Sequence, residues 1–462
     1  MFGYRRFLPD LAHKNKIMFA VVAIVVVVLV IDTSLIKTSI LTTSESGSAT
    51  RINFFITILS VIVVAQFIIL AFVRQETRDI RRKKELHIHA INTIVTISQA
   101  VLTVLLLLII LQIVITSQYN IDLAISALAI SHLLAIIMLV LLTQRFFSWL
   151  KSNRNPIILF YGLASTILAI NIATALLFVD LTLSSNQPQN IVPHLGENIP
   201  FLIPGSDLSI LYATNDITSI ISFMMMWIAT CMLLRHYSRR LGKIKFWILV
   251  SIPLVYFLSQ FLTLSLNLFG PLLSSQSIFY GVLLTLVFTL SKSAGGILFG
   301  IAFWTAIRNI HESSVVRNYM IISAYGLVLL FTSNQANVLV TAPYPPFGLA
   351  AASFIGLASY LILLGIYSSA ISVSHDIKLR QAIRKLAVKE SKLLDSIGSA
   401  HMEQEIERRV ISMTKENEDI LANETGVEPS LSETEVKEYL REVIEEVRKG
   451  KVQNGDKKLL PM

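Results

Sequence analysis

Apolar runs of about 20 residues recur along this chain of 462 residues, and they limit its fold more than any other feature. An α-helix of about that length crosses the hydrocarbon core of a bilayer. Only 15% of the residues are charged, whereas soluble proteins have roughly 25%. The sequence therefore predicts an all-α fold, a polytopic transmembrane helical bundle with a cytoplasmic helical tail.

Hydropathy divides the chain into a membrane domain and a tail. The ten predicted spans lie at 17–36, 52–73, 92–116, 123–144, 157–181, 213–234, 246–269, 276–305, 319–341 and 347–371. After the transmembrane domain of residues 1–371, we predict a juxtamembrane helix, a linker, an amphipathic helix and a disordered tail. These segments lie at 372–414, 415–430, 431–450 and 451–462.

Basic residues distinguish the two sides of the predicted membrane domain. With the N-terminus inside, the cytoplasmic connections 74–84, 145–154, 235–245 and 308–317 are all basic. The outer connections carry only Lys37 and Arg51 as basic residues. The positive-inside rule then predicts a multi-pass protein of the cell membrane with both termini in the cytoplasm. The same loops explain the net charge of +9, so we expect the lipid bilayer and no nucleic acid as a partner.

Lys292 lies near the middle of the eighth span, in TLVFTLSKSAGGILFGIAFW. A charged side chain at the bilayer centre costs on the order of 3 kcal/mol or more, so it normally faces protein or water. The next span contains S-N-Q-A-N, in which Asn334, Gln335 and Asn337 can solvate the lysine or a bound anion. We therefore predict a ligand-binding site formed by these four residues.

Two alternatives to a ligand site stay open at this stage. Lys292 can instead be a structural charge paired with Asp32 or Asp216, the nearest intramembrane carboxylates. His132, in AISHLLAIIM, is a second candidate ligand-binding residue, or else a histidine hydrogen-bonded to a neighbouring helix.

Other polar and small residues are predicted to join helices. Interhelical hydrogen bonds are predicted for Gln66, Gln99, Gln112, Asn171 and Gln260. The G-x-x-x-G pair Gly296 and Gly300 predicts the close approach of another helix.

The tail begins with VSHDIK at 373–378, which resembles the phospho-acceptor box of sensor histidine kinases. The resemblance covers six residues, and Leu379 and Arg380 stand where that family has a threonine–proline pair. The tail has no nucleotide-binding boxes, so His375 is expected to mark the end of the last span. More broadly, the chain resembles the membrane input regions of sensor proteins. The segment SKLLDSIGSAHMEQEIERRV also resembles tails of membrane proteins from ammonia-oxidising archaea.

Apolar residues at heptad spacing predict a short coiled coil in the tail. These residues are Leu379, Ile383, Leu386, Leu393, Ile397 and Ala400. Neither Pro nor Gly occurs between residues 366 and 397, so the helix is predicted to continue unbroken from span ten. The apolar stripe of 431–450 needs a partner, which predicts a homo-oligomer or a cytoplasmic protein contact through the tail.

The chain contains no motif for catalysis, a metal or a cofactor: no H-E-x-x-H helix, Walker A loop, G-x-S-x-G or dinucleotide fingerprint. We therefore expect a protein without enzymatic activity and without a cofactor. One function is a sensor or scaffold that passes a signal to the tail, which the unbroken helix favours. The alternative is a secondary transporter or channel with a mid-membrane site, which Lys292 favours.

Overall fold

The computed structural model describes residues 11–39, 47–77, 86–116, 118–185, 207–235, 242–265, 278–307, 315–335, 339–340, 345–376, 380, 392–425, 439 and 442–443. Within these ranges the chain forms eleven long α-helices and no strand. They are α1 (Leu11–Ser39), α2 (Gly47–Glu76), α3 (Leu86–Thr116), α4 (Ile121–Ser152), α5 (Pro156–Ser185), α6 (Asp207–Leu234), α7 (Lys243–Ser265), α8 (Ile278–Ile307), α9 (Val315–Ser333), α10 (Leu349–His375) and α11 (Lys392–Thr425).

Ten of the helices in the described chain, α1 to α10, are long and apolar enough to cross a membrane. The chain is therefore an integral membrane protein, and the predicted fold class is confirmed as a polytopic helical bundle. The clearest differences among the spans are at two ends: α9 ends at Ser333 rather than at residue 341, and α4 continues to Ser152 rather than ending at residue 144.

Helix α10 is the centre of the bundle, and its apolar stretch is buried along its whole length. It packs against α9 and α4 most closely, and also contacts α1, α2 and α3. Small residues make the approach close, because a Cβ added at Gly365 would lie 2.4 Å from the carbonyl oxygen of Tyr319. A Cβ at Gly356 would lie 2.8 Å from the carbonyl oxygen of Ser131. Such contacts matter in lipid, where helices associate through van der Waals packing and hydrogen bonds.

Asp32 of α1 binds the N-terminus of α10. Its Oδ2 atom accepts hydrogen bonds from the backbone N–H groups of Gly348 and Ala351, at 3.1 and 3.2 Å. Gly348 has a positive φ of 89°, which glycine adopts at little cost. A carboxylate is favoured at this position because the first N–H groups of a helix are unpaired and carry partial positive charge.

The G-x-x-x-G pair on α8 has the packing role that the sequence predicts. A Cβ at Gly300 would lie 3.0 Å from the carbonyl oxygen of Ala324, and one at Gly296 would lie 3.1 Å from that of Val328. Both contacts are with α9, so these glycines let the two backbones approach closely. This packing brings Lys292, which lies one turn before Gly296 on α8, to the end of α9.

The predicted unbroken helix from span ten into the tail is wrong. Helix α10 ends at His375, and Asp376 caps it with an extended backbone at φ −99° and ψ 107°. Helix α11 begins at Lys392 and packs against α10, α4 and α5. The described heptad residues Leu393, Ile397 and Ala400 are buried by these helices of the same chain. They therefore stabilise the docking of α11, and the coiled coil stays a prediction for 379–386.

The predicted linker over 415–430 begins too early, because α11 continues to Thr425. The residues KENEDILANET contain no Gly or Pro, whereas Gly426 and Pro429 follow them in the sequence. The amphipathic helix over 431–450 lies outside the described residues except at Tyr439, Glu442 and Val443, which are helical and exposed. The predicted tail 451–462 lies outside them as well.

Candidate functional site

Lys292 meets the C-terminal end of α9 inside the bundle. Its Nζ donates a hydrogen bond of 3.1 Å to the backbone carbonyl oxygen of Asn334. The helix stops at Ser333, and the next two residues are not helical. Ser and Asn favour such an end because their side chains compete for backbone hydrogen bonds. The final carbonyl groups of a helix carry partial negative charge, so the ammonium group is placed where a cation is stabilised.

Asn334 continues this contact into a network of buried carboxamides. Its Nδ2 donates to Oδ1 of Asn171 at 3.0 Å. The Nδ2 of Asn171 donates to the backbone oxygen of Asn215 at 2.8 Å, to its Oδ1 at 3.0 Å and to Oγ1 of Thr218 at 3.1 Å. The chain of contacts thus joins α8, α9, α5 and α6. The Nδ2 groups of Asn334 and Asn171 therefore donate to partners within the network rather than to a bound anion.

Asp216 supplies the negative charge that acts on Lys292. It follows Asn215 on α6, and the hydroxyl of Tyr212 hydrogen-bonds to it. The described residues contain no contact within 4.0 Å between the ammonium group of Lys292 and a carboxylate. Of the two structural pairings left open by the sequence, the pairing with Asp32 is wrong, because Asp32 binds the start of α10. We call Lys292, Asn334, Asn171, Asn215 and Asp216 the Lys292 cluster.

The other predicted site residues lie apart from this cluster or are not described. Gln335 is buried, and its Nε2 donates to the carbonyl oxygen of Thr332 in the preceding turn at 3.3 Å. Asn337 lies outside the described residues. His132 is buried on α4, and its Nδ1 lies 2.9 Å from the carbonyl oxygen of Leu128. That bond lies within its own helix, so the predicted hydrogen bond to a neighbouring helix is not found in the described chain.

Most of the amides that the sequence assigned to interhelical hydrogen bonds have that role. Gln99 donates to Gln66 at 2.5 Å, and Gln66 donates to Oγ of Ser353 at 3.1 Å, which joins α3, α2 and α10. Gln260 contacts Ser291 at 3.3 Å between α7 and α8. Gln112 differs, because it accepts the backbone N–H of Asn120 in the following connection.

Asn215 and Thr218 were not predicted as site residues from the sequence. They are three residues apart and therefore share one face of α6. The sequence N-D-I-T at 215–218 contains this spacing, and a search for polar pairs at i and i+3 within each span would have found the two residues.

Comparisons of this chain with protein-family models, with characterised proteins and with solved structures find no match. Its function is therefore argued from the geometry alone.

Proposed function

We propose that the protein is a secondary transporter whose substrate or coupling site is the Lys292 cluster. The observation that carries this proposal is the ammonium group of Lys292 at the C-terminal end of a helix that stops inside the bundle. Secondary transporters build their sites near the middle of the bilayer from discontinuous helices. In such sites, unwound carbonyl groups and helix C-termini coordinate the cation.

The chemistry of the cluster favours a cation over an anion. The groups that face the ammonium are acceptors: the carbonyl oxygen of Asn334, the end of α9 and the carboxylate of Asp216. Were Lys292 to lose its proton, these acceptors would be left without a positive charge inside the bundle. A proton, a metal cation or a solute with an ammonium group would then restore the balance. The proposed cycle therefore exchanges the proton of Lys292 for a cationic group.

The proposal is tested by charge movement in purified protein reconstituted on a solid-supported membrane. Wild-type protein is exposed to four pools of candidate solutes: sodium, potassium, polyamines and zwitterionic amino acids. Each pool is tested with a pH gradient across the membrane and without one. We expect at least one pool to give a transient current that Lys292→Met and Asp216→Asn abolish. Lys151→Met is the matched control, because Lys151 is an exposed lysine at the end of α4. A current that survives Lys292→Met would overturn the proposal.

A sensor or scaffold is the second candidate, and the docking of α11 favours it. Gln404 donates to the backbone oxygen and to Oγ of Ser148 at 2.8 and 3.0 Å. Asn155 donates to Oγ of Ser396 at 2.6 Å. These bonds tie a helix outside the membrane to the ends of α4 and α5, so a movement of those spans would reposition it. In the predicted orientation, α11 would present that movement to a cytoplasmic protein or to a second copy of the chain.

Spin labels can test whether α11 responds to the membrane domain. One label is placed at Lys151 on α4 and one at Met413 on α11, since both side chains are exposed. Cys231, the single cysteine, is replaced by Ala. For a sensor, the distribution of distances between the labels shifts when Lys292 is replaced by Met. An unchanged distribution would argue against the coupling, whatever the outcome of the transport assay.

A further inference from the structure

Basic side chains from three helices lie near His401, where α11 docks on the bundle. The positive charges of Arg145 on α4, His375 on α10 and Arg408 on α11 all act on the imidazole of His401. The sequence pattern placed Arg145 in a basic connection and His375 at the end of the last span, and it gave His401 and Arg408 no role. We call the four residues the His401 cluster.

Arg145 is held at this place by an aromatic ring and not by an acid. Its guanidinium group lies 4.7 Å from the ring centre of Tyr367, and that ring meets the imidazole of His401 edge to face at 5.8 Å. The described part of the chain contains no carboxylate within 4.0 Å of the Arg145 side chain. The nearby acid is Glu405, whose Oε1 lies 3.3 Å from Nε of Arg409. Within the described ranges, the positive charge of the cluster is therefore not balanced by a direct ion pair.

His401 adds a second and independent sign of a missing ligand. The side chain is only 4% exposed, and its buried Nδ1 atom has no hydrogen-bond partner among the residues that the structure describes. A buried polar atom without a partner costs on the order of 1–3 kcal/mol, so such atoms are rare in native structures. A group that accepts a hydrogen bond from this nitrogen and neutralises Arg145 would satisfy both features.

We propose that the His401 cluster binds a phosphate group at the membrane surface. Guanidinium groups match the geometry of phosphate oxygens with paired hydrogen bonds, and the imidazole supplies one more donor. Arg145 opens the basic stretch RFFSWLKSNR, which the sequence places at the cytoplasmic surface, where anionic headgroups lie. The phosphate can belong to an anionic phospholipid or be free in solution, since both present the same chemistry.

A bound phosphate would fasten α11 to the bundle. Its contacts would come from α4, α10 and α11, so the docked arrangement of the three helices would bind the anion and a detached α11 would not. Binding and docking are then linked, and each strengthens the other. This proposal does not depend on the transport proposal, because it uses none of the residues of the Lys292 cluster.

The test uses the full-length protein purified in detergent. Native mass spectrometry measures the affinity for dioleoyl-phosphatidic acid, with dioleoyl-phosphatidylcholine as the neutral reference. Thermal unfolding in sodium phosphate, against sodium chloride of equal ionic strength, measures the response to free phosphate. The variants are Arg145→Gln and Arg408→Gln. Lys151→Gln is the control, because it removes one exposed positive charge from the same end of α4.

We expect at least a tenfold loss of affinity for phosphatidic acid in both cluster variants and no change in Lys151→Gln. If the lipid shows no preference but free phosphate stabilises the wild type and not the cluster variants, the ligand is a soluble phosphate. Equal losses in all three variants would mean diffuse attraction to a basic surface and would overturn the proposal. So would binding that no variant changes, or the absence of binding to either probe. Arg408 is exposed, so its variant keeps the test valid if Arg145→Gln fails to fold.

Discussion

Asp216 and Lys292 attract each other across the packed faces of α6 and α8 without forming a direct ion pair. The ammonium group instead donates its hydrogen bond to the backbone of Asn334. A pair held in this way leaves the carboxylate able to accept another donor. That separation distinguishes the Lys292 cluster from a closed salt bridge, in which both partners would be fully engaged.

The first prediction concerns the stability of this pair. Lys292→Met should lower the free energy of unfolding by about 1–3 kcal/mol, because it removes a hydrogen bond and leaves Asp216 without its counter-charge. Adding Asp216→Asn should recover part of that loss. Thermal unfolding of the purified single and double variants measures both effects. Additive losses in the double variant would show that the two charges do not interact.

A second prediction tests the packing of α10. Gly365→Ala should destabilise the protein by about 1–3 kcal/mol or more, because the new methyl group would meet the backbone of Tyr319 at 2.4 Å. Gly162→Ala is the matched control, since its Cβ would meet only side-chain atoms of Phe146 and Phe147 at 3.3 Å and beyond. Unfolding temperatures in one detergent allow the comparison. Equal stability of the two variants would contradict the close approach of α9 and α10.

A third prediction concerns the amides that link α2, α3 and α10. Gln66→Leu should lower the free energy of unfolding by about 1–2 kcal/mol, because it removes the hydrogen bonds that Gln66 makes with buried polar atoms of Gln99 and Ser353. Gln66→Leu with Gln99→Leu should cost less than the sum of the two single changes. Gln144→Leu, at an exposed position on α4, should have almost no effect. A double-mutant cycle based on thermal unfolding would detect the coupling, and strict additivity would speak against the bond.

The docking of α11 should weaken in acid. Burial is the main reason that the pKa of His401 falls to about 4. The charges of Arg145, Arg408 and His375 also lower this pKa, whereas the charge of Glu405 raises it. The unfolded imidazole titrates near 6.5, so the unfolded state binds the proton more readily. Neutral His401 therefore stabilises docking above about pH 6.5, and this stability is lost as the pH falls towards 4.

Hydrogen–deuterium exchange in the 393–404 segment, corrected for the intrinsic pH dependence of exchange, measures that loss. The full loss of docking stability between pH 6.5 and 4 is at most about 3 kcal/mol. In His401→Gln the protection of the segment should become much less dependent on pH between 6.5 and 4. A wild-type profile that stays flat over this range would exclude His401 as the group responsible.

The orientation of the bundle is a further prediction, based on the basic connections. Cysteine placed at Gln118, between α3 and α4, should react with an impermeant maleimide in intact cells. Cysteine at Lys151, at the other end of α4, should react only after permeabilisation. Both positions are exposed, and Cys231, which is buried, is replaced by Ala. The opposite pattern of labelling would place both termini outside and move α11 to the outer surface.

The sequence predicted the spans well because hydropathy is a local property that each segment carries by itself. It predicted that the amides of the next span would solvate Lys292, whereas the ammonium group contacts the backbone oxygen of Asn334 and not its amide side chain. It missed Asn215 and Thr218, because their role depends on which face of α6 meets α5. It predicted, wrongly, that the helix would continue unbroken beyond α10, which ends at His375. The break at Asp376 comes without Gly or Pro, and the burial of Leu393 and Ile397 on the bundle favours it.

The central position of α10 has a consequence for how the protein is made. The ribosome delivers the spans in order, and the helix that the others surround is the tenth. Until residues 349–375 have entered the bilayer, the earlier spans lack the surface on which α4 and α9 pack, and Gln66 and Ser131 lack their partners in α10. We therefore expect the preceding helices to pack loosely in the membrane until α10 is inserted. Final packing follows completion of the last span, so truncated chains should be exposed to membrane proteases during synthesis.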